Sequence, residues 1–122
     1  MHSTDASLIL SYMTKYQAEL DELFRALSDT TRRSLVERLV LSPASVTELA
    51  EPFDSALPTI VEHLRVLERT GVVSSEKVGR VRTYQLVPGA LVPANHWIVA
   101  QRLPQETRLD RLEDYLTNQE GD

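Results

Sequence analysis

The chain has 122 residues, enough for one compact domain with a real core. Its 42% apolar and 25% charged residues suit an ordinary globular protein, and no apolar run approaches the roughly 20 residues of a membrane span. Without cysteine it forms no disulfide, thiolate metal site or thiol redox sensor, and its net charge of −5 argues against DNA binding by the whole surface.

The charge is unevenly spread. Residues 1–29 hold five acids against two bases, and residues 105–122 hold six against two. Residues 30–104 hold nine bases against seven acids. The acidity lies in the two ends and the middle is mildly basic, which suggests a division of labour along the chain.

No basic region precedes the short apolar run Leu8 to Leu10, so a secretory signal is not expected and a cytoplasmic location fits. Residues 1–15 are expected to be a flexible tail and 118–122 a flexible end, around one domain at 16–117. From Tyr16 onward, Leu20, Leu23, Phe24 and Leu27 recur at helical spacing. Ser28 to Thr31 supplies capping residues for a helix over about Thr31 to Val40, with Leu35, Val36 and Leu39 inward. Ser45 and Glu48 have the spacing of a capping box, opening a short helix that buries Val46, Leu49 and Ala50.

Pro58 is tolerated only in the first turn of a helix, so the next one begins near Asp54 to Ala56. Gly71 suits its end. At about 100° per residue, Leu57, Ile60, Val61, Leu64 and Leu67 share the inner side. Pro58, Thr59, Glu62, Arg65, Val66 and Arg69 fall outward, and His63 and Thr70 flank them. Val72 to Leu86 is β-rich with Gly79 at its centre, and predicts a two-stranded hairpin with Lys77, Arg80 and Arg82 around its tip. Two further helical patterns carry Trp97, Ala100 and Leu103, then Leu109, Leu112, Tyr115 and Leu116, with Pro104 kinking or breaking the line between them.

Two short helices joined by a turn and followed by a basic hairpin make a winged helix-turn-helix, so the expected class is mainly α with a small β hairpin. A helix fits the major groove of double-stranded DNA, and a basic hairpin tip reaches the neighbouring phosphates. The candidate DNA-binding residues are Ser55, Pro58, Thr59, Glu62, His63, Arg65, Arg69, Lys77, Arg80 and Arg82. Arg32 and Arg33 approach phosphate or are simply solvated. The apolar stripe Leu109, Leu112 and Leu116 has little domain left to pack on. It is expected to bury against a second copy, with Leu20, Leu23 and Trp97 in the same homodimer interface.

The sequence resembles the ArsR/SmtB family of winged helix-turn-helix transcriptional regulators. "LFRALSDTTRRSLVERL" resembles the family's opening helix pair, "SVTELAEPFDSALPTIVEHLRVLERTGVV" its helix-turn-helix, "SSEKVGRVRTYQL" its wing and "RLDRLEDYL" the last helix of a metal-free branch. The resemblance covers about residues 16–117. It implies a homodimer built from the first and last helices, a palindromic operator and repression relieved by a signal. Ala56 and Val61 stand where the family often has serine, and Glu62 where it often has a basic or polar residue. Ser45 and Thr47 occupy the positions of two metal-binding cysteines in the thiolate-sensing branch, so that site is absent. Only His96 lies near the family's other metal site, and one histidine makes no site.

No metal, cofactor or membrane partner is expected, and the sequence names no effector. An enzyme is not expected, because neither a glycine-rich phosphate loop nor a nucleophile motif is present. A protein-interaction module without an operator and a metal-responsive repressor remain as alternatives. Glu62 itself has three readings: acceptor for a cytosine amino group, partner of Arg65, or a group outside the contact.

Overall fold

A computed structural model describes residues 2–120, with side chains at 5–105 and 108–117. The chain divides into two compact units, Met1–Val92 and Pro93–Asp122. The first begins with α1 (His2–Ala26), α2 (Thr30–Leu41), β1 (Ala44–Ser45) and α3 (Val46–Ala50). It continues with α4 (Leu57–Arg69), β2 (Val73–Val78) and β3 (Val81–Leu86). Next come α5 (Val92–Ala100), whose first residue closes the first unit, and α6 (Pro104–Glu120).

The first helix starts at His2, not Tyr16, so the stretch expected as a tail is helical. Its apolar spacing continues upstream through Ile9, Tyr12, Met13 and Tyr16, all exposed. Leu20 and Leu23, expected at a partner interface, are instead buried within the single chain. Of the expected C-terminal tail, residues 118–120 continue α6 and 121–122 lie outside the described residues.

The corner between α1 and α2 is built by charge. Asp29 sits in extended backbone as the N-cap of α2, and its Oδ1 accepts from the Arg32 backbone N–H at 3.0 Å. That bond, opposed by partial burial and helped by the charge of Arg32, holds the Asp29 carboxyl below its usual range. Arg32 donates from Nε to the Ala26 carbonyl at 2.7 Å and from Nη2 to that of Arg25 at 3.2 Å. Arg33 donates to the Leu27 carbonyl at 2.8 Å. Both arginines therefore add donors to the carbonyls at the end of α1, with cations at the negative end of its dipole.

In α3 the capping box forms as the spacing predicts. Ser45 Oγ accepts from the Glu48 N–H, and Glu48 Oε1 accepts from the Ser45 N–H, each at 3.2 Å. The same Glu48 carboxyl is held below its usual range, chiefly by that backbone donor. Ala44 and Ser45 also pair with Tyr84 and Thr83, so the sheet has three strands in the order β1-β3-β2, not the two expected. A two-residue strand has no periodicity to read; it is defined by a partner about forty positions away.

Leu35, Leu49, Ile60, Leu64, Leu67, Val72 and Val73 form the centre of the core. α4 packs on α2, α3 and β2, so this core holds the helix that concerns function. Leu57, expected inward, is 49% exposed because the helix only begins there. Val61 is half-buried. Ala56 is the N-cap and gives no side-chain bond, leaving Pro58 to preset the first turn. At the other end Gly71 (φ 82°) donates to the Glu68 carbonyl at 3.1 Å, and Val72 to that of Leu67 at 2.9 Å. This paired motif ends the helix and launches β2 directly from the core.

The hairpin turns through Gly79 and Arg80 between the paired Val78 and Val81. Gly79 has φ 64°, which a two-residue turn requires at its first central position. In the second unit, α5 ends at Ala100 and α6 starts on Pro104, so the proline breaks the helix. Trp97, Leu109, Leu112 and Leu116 are all exposed.

Removing the cap with Asp29→Ala is expected to cost about 1 kcal/mol at neutral pH. A carboxyl with a depressed folded pKa contributes above its unfolded value and loses that contribution as pH falls through the folded one. Urea denaturation should therefore show the gap between wild type and variant narrowing below roughly pH 4; a constant gap would mean that the ionised carboxylate is not the cap. Arg32→Ala, which strips the end of α1 of two donor bonds, should cost about 1–2 kcal/mol in the same assay.

Candidate nucleic-acid interface

The rotation of α4 sets what faces outward. With Ile60, Leu64 and Leu67 buried, Pro58, Thr59, Glu62, Arg65 and Arg69 are exposed. Ser55 is exposed in the turn ahead of the helix, which begins at Leu57, just after the start near Asp54 to Ala56 that the sequence predicts. Thr59 and Glu62 thus occupy the N-terminal half of the helix, the half that reaches base edges in a major groove.

Glu62 Oε2 accepts from Arg65 Nη1 at 3.4 Å. Both side chains are well exposed, so this pair is worth roughly 0.2–0.5 kcal/mol. Its role as a partner of Arg65 is therefore real but weak.

His63 behaves differently from its exposed neighbours. Its side chain is only 20% exposed, and Nδ1 lies 3.8 Å from Asp29 Oδ1 and 3.3 Å from Arg32 Nη1. A guanidinium only donates, so the Arg32 contact requires an unprotonated Nδ1. The ring is thus engaged with the corner between α1 and α2. Arg32 and Arg33 are likewise engaged with the end of α1.

Between α4 and the hairpin lies a cleft of about 530 Å³. Arg65 comes from the helix; Lys77, Arg80 and Arg82 come from the wing. Glu68 lies among them, and Val46, Val61 and Tyr84 complete the lining. Burial, and secondarily the Glu68 carboxylate, pushes the Tyr84 hydroxyl above its usual range, so it stays neutral. Strand register explains the convergence. Lys77 pairs with Arg82 and Ser75 with Tyr84, so these four share one face of the hairpin.

Two polar residues of this region escape the sequence reading. Ser75 Oγ donates to Glu68 Oε1 at 2.6 Å and accepts from Arg82 Nη1 at 2.8 Å. The signal for half of this was present: once the turn is placed at Gly79 and Arg80, Ser75 and Arg82 become diagonal cross-strand neighbours. Nothing in the sequence shows that Glu68 rises to meet them.

Among the described residues no three His, Asp or Glu side chains converge as metal ligands would. Ser45 spends its hydroxyl on the α3 cap, Thr47 follows it in α3, and His96 is exposed on α5. Among the described residues no helix is long and apolar enough to cross a membrane.

A family model described as a helix-turn-helix domain matches residues 27–76. The chain is 39% identical over 79 residues to the HTH-type transcriptional regulator Rv2034 of Mycobacterium tuberculosis, covering 65% of this chain and 73% of that one. It is 29% identical over 80 residues to the transcriptional repressor SdpR of Bacillus subtilis, covering 66% and 89%. Among solved structures it is similar to an ArsR-family transcriptional regulator at 40% identity, with a TM-score of 0.66 over 70% of this chain and 88% of that chain. A homodimeric winged helix-turn-helix domain from Mycobacterium bovis shares the fold at 20% identity, with a TM-score of 0.62 over 72% and 83%. With the helix-turn-helix, the hairpin wing and this level of identity together, the chain belongs to the ArsR family of winged helix-turn-helix transcriptional regulators.

Proposed function

We propose that the chain is a cytoplasmic, homodimeric repressor of the metal-free kind that binds a palindromic operator. One observation carries the DNA contact: four cations from two separate elements line a single cleft. Lys77 and Arg82 stand directly opposite each other across the hairpin, a like-charge arrangement that costs the free protein stability. Among the described residues the Lys77 and Arg80 side chains make neither a hydrogen bond nor an ion pair. Uncommitted cations at a wing tip, beside the repelling pair of Lys77 and Arg82, suit a polyanion that releases counterions on binding.

In this reading α4 lies in the major groove. Ser55, Pro58 and Thr59 lie at its leading end, and Glu62 and Thr59 meet base edges. Arg65, Arg69 and the wing cations hold phosphates. His63 supports the helix from behind through Arg32, so its contribution is positional. The dimer is supported by two exposed apolar stripes, Ile9, Tyr12, Met13 and Tyr16 on α1 and Leu109, Leu112 and Leu116 on α6, which a second copy would cover. Trp97, exposed on α5, is assigned to the same interface. The acidic ends then belong to the dimer and the basic middle to DNA. Repression accords with the name of the Bacillus relative.

The deciding experiment is selection of bound duplexes from a random pool with purified protein, followed by salt titration. An inverted repeat with salt-sensitive affinity is expected. Absence of selective, salt-sensitive binding would favour the protein-interaction module. Lys77→Ala with Arg80→Ala should lower the slope of log affinity against log salt by about one unit for each side chain. Glu62→Gln should bind DNA more tightly overall and lose roughly 1–3 kcal/mol of discrimination at one base position. Competition against base-substituted operators measures it, and a tighter but equally selective variant would show that Glu62 reads no base.

A further inference from the structure

We infer that Glu68, Ser75 and Arg82 form a relay that fixes the wing to α4, with Ser75 the positioning residue that aims Arg82. Its role in DNA binding rests on the function proposed above; its existence in the free protein does not. The three residues come from three elements, α4, β2 and β3. A serine hydroxyl has one proton to give and lone pairs to receive. Here the proton goes to Glu68 at 2.6 Å, and a lone pair receives Arg82 at 2.8 Å. Both bonds involve an ionised partner, and they are short, as charge-assisted bonds are. Each polarises the hydroxyl in the sense that strengthens the other.

The consequence is specific to one cation. Arg82 is drawn towards the helix, and part of its charge is answered by Glu68 through the hydroxyl. This also relieves its repulsion with Lys77 across the hairpin. A helix in a major groove and a wing on adjacent backbone must engage one duplex together, so their spacing has to be set beforehand. The relay sets it midway along the hairpin, whose base is already tied by the Val87 N–H bonded to the Val72 carbonyl at 3.0 Å. Glu68, an acid lining a cationic cleft, thereby has a reason to be there.

Ser75→Ala tests this without altering any charge. In the free protein, the Arg82 guanidinium should be ordered by nitrogen relaxation in wild type and mobile in Ser75→Ala and Glu68→Ala, with Arg80 mobile in all three. An Arg82 as mobile as Arg80 in wild type overturns the relay whatever DNA does. In DNA binding to the selected duplex, Arg82→Ala should lose about one unit of salt slope, equivalent to about five-fold at 0.15 M salt. Ser75→Ala should lose at least half of that on a logarithmic scale, Ser75→Thr should restore it, and the double variant Ser75→Ala with Arg82→Ala should be no weaker than Arg82→Ala alone. Unaltered affinity in Ser75→Ala, or losses that add in the double variant, would show that Arg82 acts independently of Ser75. Wild type that binds no duplex selectively would sink the proposed function and leave the relay to the relaxation experiment.

Discussion

Ile60, Leu64 and Leu67 are fully buried along one side of α4. Each contributes roughly 1.5–3 kcal/mol by leaving water, and together they fix the rotation of the helix about its axis. A turn of one residue, about 100°, would drive Arg65 and Glu68 in one sense, or Thr59 and His63 in the other, towards the core and bring a leucine out. The identity of the outward face, and so every contact assigned to it, is a consequence of this burial. The helix ends are held by Pro58 at the start, itself on the outer face, and by the Gly71 motif at the finish.

The electrostatics follow a consistent pattern around that helix. Cations bonded to carbonyls do structural work: Arg32 and Arg33 answer the end of α1, and Arg32 also reaches His63 on α4. Arg65 on the outer face and Lys77, Arg80 and Arg82 on the wing are exposed and share one cleft. The difference lies in geometry. A guanidinium facing free carbonyls within 3 Å is committed, whereas one on a hairpin tip waits for an anion.

Local chemistry was legible in the sequence where a motif satisfies itself within a few residues. The Ser45 and Glu48 capping box, the Asp29 region as a cap, the start imposed by Pro58 and the stop at Gly71 are all of this kind. What escaped depends on partners distant in the chain. Ala44 and Ser45 become a strand only because Tyr84 and Thr83 accept them. Leu20 and Leu23 have the right periodicity for a helix, but periodicity alone does not say whether the covering surface belongs to the same chain or another. For Arg32 the sequence allows phosphate or solvent, whereas its partners are carbonyls six and seven residues upstream. At the cleft, the cations were named from their clustering at a hairpin tip, while Glu68 and Ser75 were not, because an isolated acid and serine carry no pattern.

Magnitudes separate the two carboxylates on the outer part of α4. The Glu62 and Arg65 contact is a single long bond between exposed side chains, worth a few tenths of a kcal/mol. A correct base contact is worth several times more, roughly 1–3 kcal/mol, so the pair does not restrain Glu62 from turning to a base. Glu68 is different in kind. Its bond to Ser75 is 2.6 Å long and continues to Arg82, so freeing it breaks a connection between helix and wing. Of two acids on one helix in a cationic setting, the weakly held one is therefore suited to reading and the firmly held one to holding the frame.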